Sequence, residues 1–245
     1  MCDTCGCNDV YHILDHDHQD HHHQNMIEPD HHHKIIQIET DVLSKNNLLA
    51  ERNRGYFEAR NIKAFNLVSS PGSGKTTVLE KLIVLLKPTL KISVIEGDQQ
   101  TALDANRIKA AGADSIQINT GNGCHLDAHM VNHALKELNP DENSVLFIEN
   151  VGNLVCPALF DLGEFKRIII MSVTEGEDKP LKYPGMFQSS HLCILNKTDL
   201  LPYLDFKKEA FLSNLQKIKP GIEVIEISAK NGEGLNVLKE YLINI

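Results

Sequence analysis

The stretch AFNLVSSPGSGKTTVLEKLIVLLK, residues 64–87, admits few folds. An apolar run meets a glycine-rich turn, and the turn opens at once into apolar residues spaced for a helix. Its centre, SSPGSGKTT at 69–77, matches G-x-x-x-x-G-K-[ST] with Ser69 where the first glycine stands. Such a turn holds an anion when a strand delivers the chain to it and a helix leaves it. Turn N–H groups and the positive helix end then converge on one phosphate. Gly72, Ser73 and Gly74 form the cradle, the glycines permitting backbone conformations that turn N–H groups inward. Lys75 is expected to reach the β and γ phosphates, Thr76 to offer Mg²⁺ a hydroxyl, and Thr77 to lie near the α phosphate.

Six further apolar runs follow: ISVIEG, SIQIN, VLFIEN, IIIMSV, LCILNK and EVIEIS. Each is apolar throughout rather than alternating, as parallel strands covered on both faces require. Helix-like segments such as HLDAHMVNHALKEL, KKEAFLSNLQKI and LNVLKEYLI lie between or after them. The expected fold is α/β, a doubly wound and mostly parallel sheet of the P-loop nucleotide-hydrolase type. It occupies 63–245. A helix within 35–62, over 40–61 with Thr40 or Asp41 as its cap, precedes it. Residues 1–34 have almost no apolar periodicity and are read as a mobile tail.

The net charge of −9 falls mostly on residues 1–33, which hold seven acids and no Lys or Arg and leave −2 elsewhere. A near-neutral body behind an acidic tail argues against binding nucleic acid. No eighteen-residue apolar run spans a membrane, and no secretory pattern opens the chain, so the cytoplasm is the expected compartment.

NKTD at 196–199 follows the LCIL run, and SAK at 228–230 ends EVIEI. The Asp199 carboxylate can accept both N1–H and N2–H₂ of guanine, a pair that adenine lacks, so GTP is favoured over ATP. Asn196 and Lys197 would brace the loops and cover the base. From Ser228, Ala229 and Lys230, the Ala229 N–H could meet guanine O6. Asp98, in IEGDQQT, and Glu149, in FIENVG, are the acids expected to complete the Mg²⁺ and water site with Thr76. They share the catalytic work with Lys75, and Gly152 is free to follow the γ phosphate. Glu96 and Asp98 could instead be solvated loop acids.

Cys124 and His125 are read as opening a helix whose His129 and His133 continue the same face, and Cys156 follows Glu149 by seven residues. A thiol at a helix N-terminus is more readily a thiolate. Ligands and small buried hydrophobes remain equal readings of Cys124 and Cys156 on spacing alone; Cys193, inside a strand, is read as a buried hydrophobe. Cys2, Cys5 and Cys7 place three soft ligands within six residues. With tetragonal geometry they suit Ni²⁺, with tetrahedral geometry Zn²⁺. Nine of the thirteen histidines lie at 12–33.

The blocks CDTCGC, LVSSPGSGKTT, VIEGDQQT, INTGNGCHLDAHM, LFIENVGNLVCPALFDLGE, SVTEGEDKPLKYPGMF, LNKTDLLPYL and ISAKNGEG together resemble the HypB family of hydrogenase maturation GTPases. The resemblance covers nearly all of 40–245 and the first seven residues. It implies a SIMIBI-type G domain that hydrolyses GTP slowly and forms a nucleotide-dependent homodimer. It also implies a nickel or zinc site at Cys124, His125 and Cys156, and a tight nickel site at Cys2, Cys5 and Cys7. Its implied partners are a HypA-type metallochaperone and the hydrogenase large-subunit precursor. A nickel-storage protein and a urease-directed GTPase are the competing readings. Lys179, Lys182 and Tyr183 are left without a role.

Overall fold

The computed structural model describes residues 30–98, 103–121 and 123–245, without the side chains of 30–39, 98, 103 and 105. Every apolar run named above becomes a strand. They are β1 (Lys63–Ser69), β2 (Ile92–Asp98), β3 (Asp114–Asn119), β4 (Val145–Gly152), β5 (Lys166–Ser172), β6 (Leu192–Asn196) and β7 (Glu223–Glu226). They form one parallel sheet in the order β3-β2-β4-β1-β5-β6-β7. β1, which carries the phosphate turn, is its middle strand, so the turn leaves from the centre of the rim where α/β sheets take ligands.

The helices are α1 (Asp30–Ala59), α2 (Lys75–Leu86), α3 (Leu103–Ala111), α4 (Ala128–Leu138), α5 (Lys179–Lys182), α6 (Pro184–Ser189), α7 (Lys208–Ile218) and α8 (Leu235–Asn244). Alternate residues of the central strands feed opposite layers. Phe65, Leu67, Phe147, Ile168 and Ile170 pack with the apolar sides of α2 and α8. On the other face, Ala64, Ile95, Leu146 and Ile148 pack with α1 and α4, while Ile169, Met171 and Leu195 pack with α6 and α7. Burying each such Leu, Ile, Phe or Met side chain contributes about 1.5–3 kcal/mol. Cys193 is fully buried in this second layer, and desolvation raises its thiol pKa, in keeping with a structural hydrophobe.

Two local expectations need correction. The first helix begins at Asp30, well before its expected cap at Thr40 or Asp41, and takes in the end of the stretch 1–34 read as a mobile tail. The Cys124–His125 pair does not open α4. That helix starts at Ala128, because Asp127 is its cap and its carboxylate accepts the Met130 N–H at 2.7 Å. Cys124 and His125 therefore lie in the loop before the cap, and His125 does not share the helical face on which the His129 and His133 rings meet at 4.6 Å.

The strand register sets the rim. Glu96 pairs with Glu149 across β2 and β4, and Ser172 pairs with Asn196 across β5 and β6. A bulge between Leu67 and Ser69 brings Ser69 opposite Gly152, where a Cβ would press on Pro71 at 3.2 Å. Glycine there lets β4 run close beside the phosphate turn.

Candidate functional site

The turn between β1 and α2 takes the shape its glycines were chosen for. Gly72 and Gly74 have φ of 75° and 93°, and Gly74 caps α2 in the left-handed conformation. Beside the turn opens a cleft of about 360 Å³ lined by the turn, Glu96, Gly97, Arg107 and Glu149. Lys75 Nζ lies 3.1 Å from Glu149 Oε1, and the Thr76 hydroxyl donates to the same oxygen at 2.7 Å. Glu149 is 2% exposed, and its second oxygen, Oε2, is buried without a hydrogen-bond partner. A buried carboxylate oxygen left open beside a threonine hydroxyl is the donor set Mg²⁺ takes in phosphate sites. Asp98 ends β2, but its side chain lies outside the described residues.

Three loops, the phosphate turn, NKTD and SAK, are tied together by one residue. Asn196 Nδ2 donates to Ser73 O at 2.9 Å, and Asn196 Oδ1 accepts the Ala229 N–H at 3.1 Å. A Cβ on Gly74 would stand 2.6 Å from that Nδ2, so only glycine leaves room for the brace. Lys197, at φ 64°, lays its side chain back over the turn and donates to Gly72 O at 2.7 Å. Asp199 Oδ1 accepts from Ser228 Oγ at 2.6 Å. Here the Ala229 N–H serves Asn196, where guanine O6 was expected. Lys230 is exposed on the following turn. Asp199→Asn is expected to weaken GDP binding by about 1–3 kcal/mol. It should also confer affinity for xanthosine diphosphate, whose 2-oxo group can accept from the new amide. Titration with the two diphosphates checks both effects.

Cys124, His125 and Cys156 converge, although they come from two loops. Their ligand atoms all lie within 4.8 Å of one another, and no other such cluster occurs among the described residues. Cys124 Sγ is 3.6 Å from His125 Nδ1. The imidazole stacks on Phe160 at 3.9 Å between centroids, and burial lowers its pKa, leaving the neutral ring that ligates metals. Cys156 is 7% exposed and starts the short 3₁₀ turn Cys156–Ala158. Two thiols and one imidazole suit Ni²⁺ or Zn²⁺. Cys2, Cys5 and Cys7 lie outside the described residues.

The family model described as the CobW/HypB/UreG nucleotide-binding domain matches residues 63–226. Hydrogenase maturation factor HypB of Rhizobium leguminosarum bv. viciae is 57% identical over 209 residues, 85% of this chain and 70% of that one. The chain belongs to the HypB family. Two solved HypB structures share its architecture. One, from Helicobacter pylori, is a complex with nickel; its TM-score is 0.76 at 38% identity, over 82% of this chain and 94% of that one. The other, from Archaeoglobus fulgidus, has a TM-score of 0.77 at 37% identity, over 82% and 98%.

In this HypB-family chain the cleft also holds Glu96, named above only as a possible solvated loop acid, and Arg107, which no motif singles out. Glu96 is 2% exposed inside β2, so it is a strand residue facing the cleft, not a solvated loop acid. The apolar neighbours in VIEG were the available signal. Arg107 reaches from α3 to Thr77 Oγ1 at 3.1 Å and to Glu80 at 2.7 Å, a placement that spacing alone does not reveal. Lys182 pairs with Asp178 at 2.6 Å, and Lys179 sits over the Tyr183 ring at 5.3 Å. No described helix is long and apolar enough to cross a membrane.

Proposed function

We propose that this HypB-family chain is a GTP-hydrolysing metallochaperone. It carries nickel at Cys124, His125 and Cys156, delivers it to a [NiFe]-hydrogenase large-subunit precursor, and ties release to the nucleotide cycle. One observation carries the reading. Glu149, which holds Lys75 and Thr76 from within β4, lies only seven residues before Cys156, which belongs to the cysteine–histidine cluster on the turn after that strand. The nickel in the related H. pylori structure supports the choice of cargo.

In this reading the phosphate turn and the N-terminus of α2 bind the β phosphate, and Lys75 exchanges Glu149 for the β and γ oxygens. Thr76, Glu149 and Asp98 would hold Mg²⁺, which when bound neutralises charge on those oxygens. Asp199 fixes the guanine edge, and Asn196 and Lys197 keep the base loop against the phosphate loop. Cys2, Cys5 and Cys7 form a separate tight nickel site. A nucleotide-dependent homodimer and a HypA-type metallochaperone are the working partners.

The test removes the competing thiols through Cys2→Ser, Cys5→Ser and Cys7→Ser. Nickel affinity is then measured with GDP and with a non-hydrolysable GTP analogue. Coupling predicts affinities that differ by about fivefold or more. Equal affinities overturn it.

A further inference from the structure

Between the nucleotide cleft and the Cys/His cluster runs a chain of buried polar side chains that phosphate binding does not use. Successive residues of a strand face opposite sides of the sheet, so Asn150, next to Glu149, points away from the cleft. It is 0% exposed. Its Oδ1 accepts two N–H groups, Leu126 at 3.1 Å and Val151 at 3.0 Å, and Leu126 directly follows His125. Its Nδ2 approaches Asn66 Oδ1 at 3.4 Å, and Asn66 Nδ2 donates to Glu164 Oε1 at 3.0 Å. Glu164 pairs with Arg167 at 2.9 Å. Arg167 then donates to Ala158 O at 3.2 Å and to Phe160 O at 2.8 Å. Those carbonyls belong to the segment that presents Cys156 and the ring beneath His125.

The chain therefore grips both loops of the cluster, the Cys124–His125 loop through Asn150 and the Cys156 turn through Arg167. Leu126 is held from the other side as well. It packs so tightly on Gly97, one residue before Asp98, that a Cβ on Gly97 would stand 2.7 Å from Leu126 Cγ. Buried polar groups keep such geometry because losing one bond leaves its partner desolvated and unpaired.

We propose that Asn150 is a positioning residue for the cluster: by holding the Leu126 N–H it fixes where Cys124 and His125 stand relative to Cys156. This rests on the reading of those three side chains as the nickel site. A purely structural role would lower stability and nucleotide binding together. A positioning role moves the metal geometry alone.

The experiment uses the full chain with Cys2→Ser, Cys5→Ser and Cys7→Ser, adding Asn150→Ala or Asn150→Asp. Aspartate keeps an oxygen facing the two N–H groups. Three quantities are measured: GDP affinity, nickel affinity from the thiolate charge-transfer band, and the rate at which a bimane reagent bridges Cys124 to Cys156 in apo protein. Asn150→Ala is expected to leave GDP affinity unchanged, weaken nickel binding by about 10–100-fold and slow bridging severalfold. Asn150→Asp is expected to restore both. The inference fails if the alanine variant binds nickel and bridges as its parent does, or if aspartate rescues neither. A parent that binds no nickel, with bridging still dependent on Asn150, sinks the nickel reading and leaves the positioning role standing. Should Asn150→Ala not fold, amide exchange in the parent decides: slow exchange at Leu126 supports the contact, and rapid exchange overturns it.

Discussion

Lys75→Met is expected to lower GTP turnover by about 10²–10³-fold, the usual loss when one preorganised donor to developing charge is removed. The Lys75 ammonium stands 3.1 Å from Glu149 at the mouth of the cleft, with its side chain 12% exposed. Methionine keeps an unbranched side chain of similar bulk and removes the ammonium with its N–H donors. The fold should persist with some stability lost, because Glu149 keeps the Thr76 hydroxyl and the core under α2 is built from Val78, Leu79, Leu82, Ile83 and Leu86 and not from position 75. Phosphate release at saturating GTP measures the effect, and a circular-dichroism melt verifies the fold. Turnover within a few-fold of the parent would mean that the cleft does not act on the γ phosphate through this residue.

Arg167→Ala should give the largest loss of stability, about 3–5 kcal/mol in denaturant titrations near neutral pH. Arg167 and Glu164 are 5% and 7% exposed, and truncating the cation strands a buried carboxylate. Burial alone would push the Glu164 carboxyl up. Arg167, the Asn66 amide and the surrounding N–H donors overcome it and hold the group below the usual carboxylate range. The sign of the pH dependence follows. A depressed native pKa adds stability above the unfolded value of about 4.3, and that stability disappears as pH falls through the native pKa. The gap between Arg167→Ala and its parent should accordingly be widest at neutral pH and narrow on acidification. A gap that is constant with pH would show that lost packing, not the stranded charge, dominates.

Most of the sheet was legible because strands covered on both faces have to be apolar throughout, and runs such as IIIMSV and LCILNK admit few other environments. The phosphate turn was legible for a related reason. Gly72 and Gly74 stand where the backbone requires positive φ, and the need for glycine there is local. The Cys/His cluster was only half legible. Its members come from two loops brought together by β2, β4 and α4, and separation along the chain carries no distance. The misplaced start of α4 has a specific cause. HLDAH continues the helical spacing backwards, but the Asp127 side chain competes for the first free N–H and stops the helix there. Arg107 and the line from Asn66 to Arg167 depend on which strands are neighbours, and composition does not encode that. Glu164 and Arg167, three residues apart, carry no motif, and their pairing and burial come only from the sheet that encloses them.

The brace made by Asn196 has a consequence for how a nucleotide is received. Its two amide bonds, with the Lys197 bridge to Gly72, lock the phosphate loop, the NKTD loop and the SAK loop into one body before anything arrives. The entropy of ordering those loops is then spent during folding instead of at the encounter. The distance from the guanine edge to the β phosphate is set in advance, so the pocket acts as a gauge: a guanosine monophosphate, which ends short of the turn, can satisfy one end only.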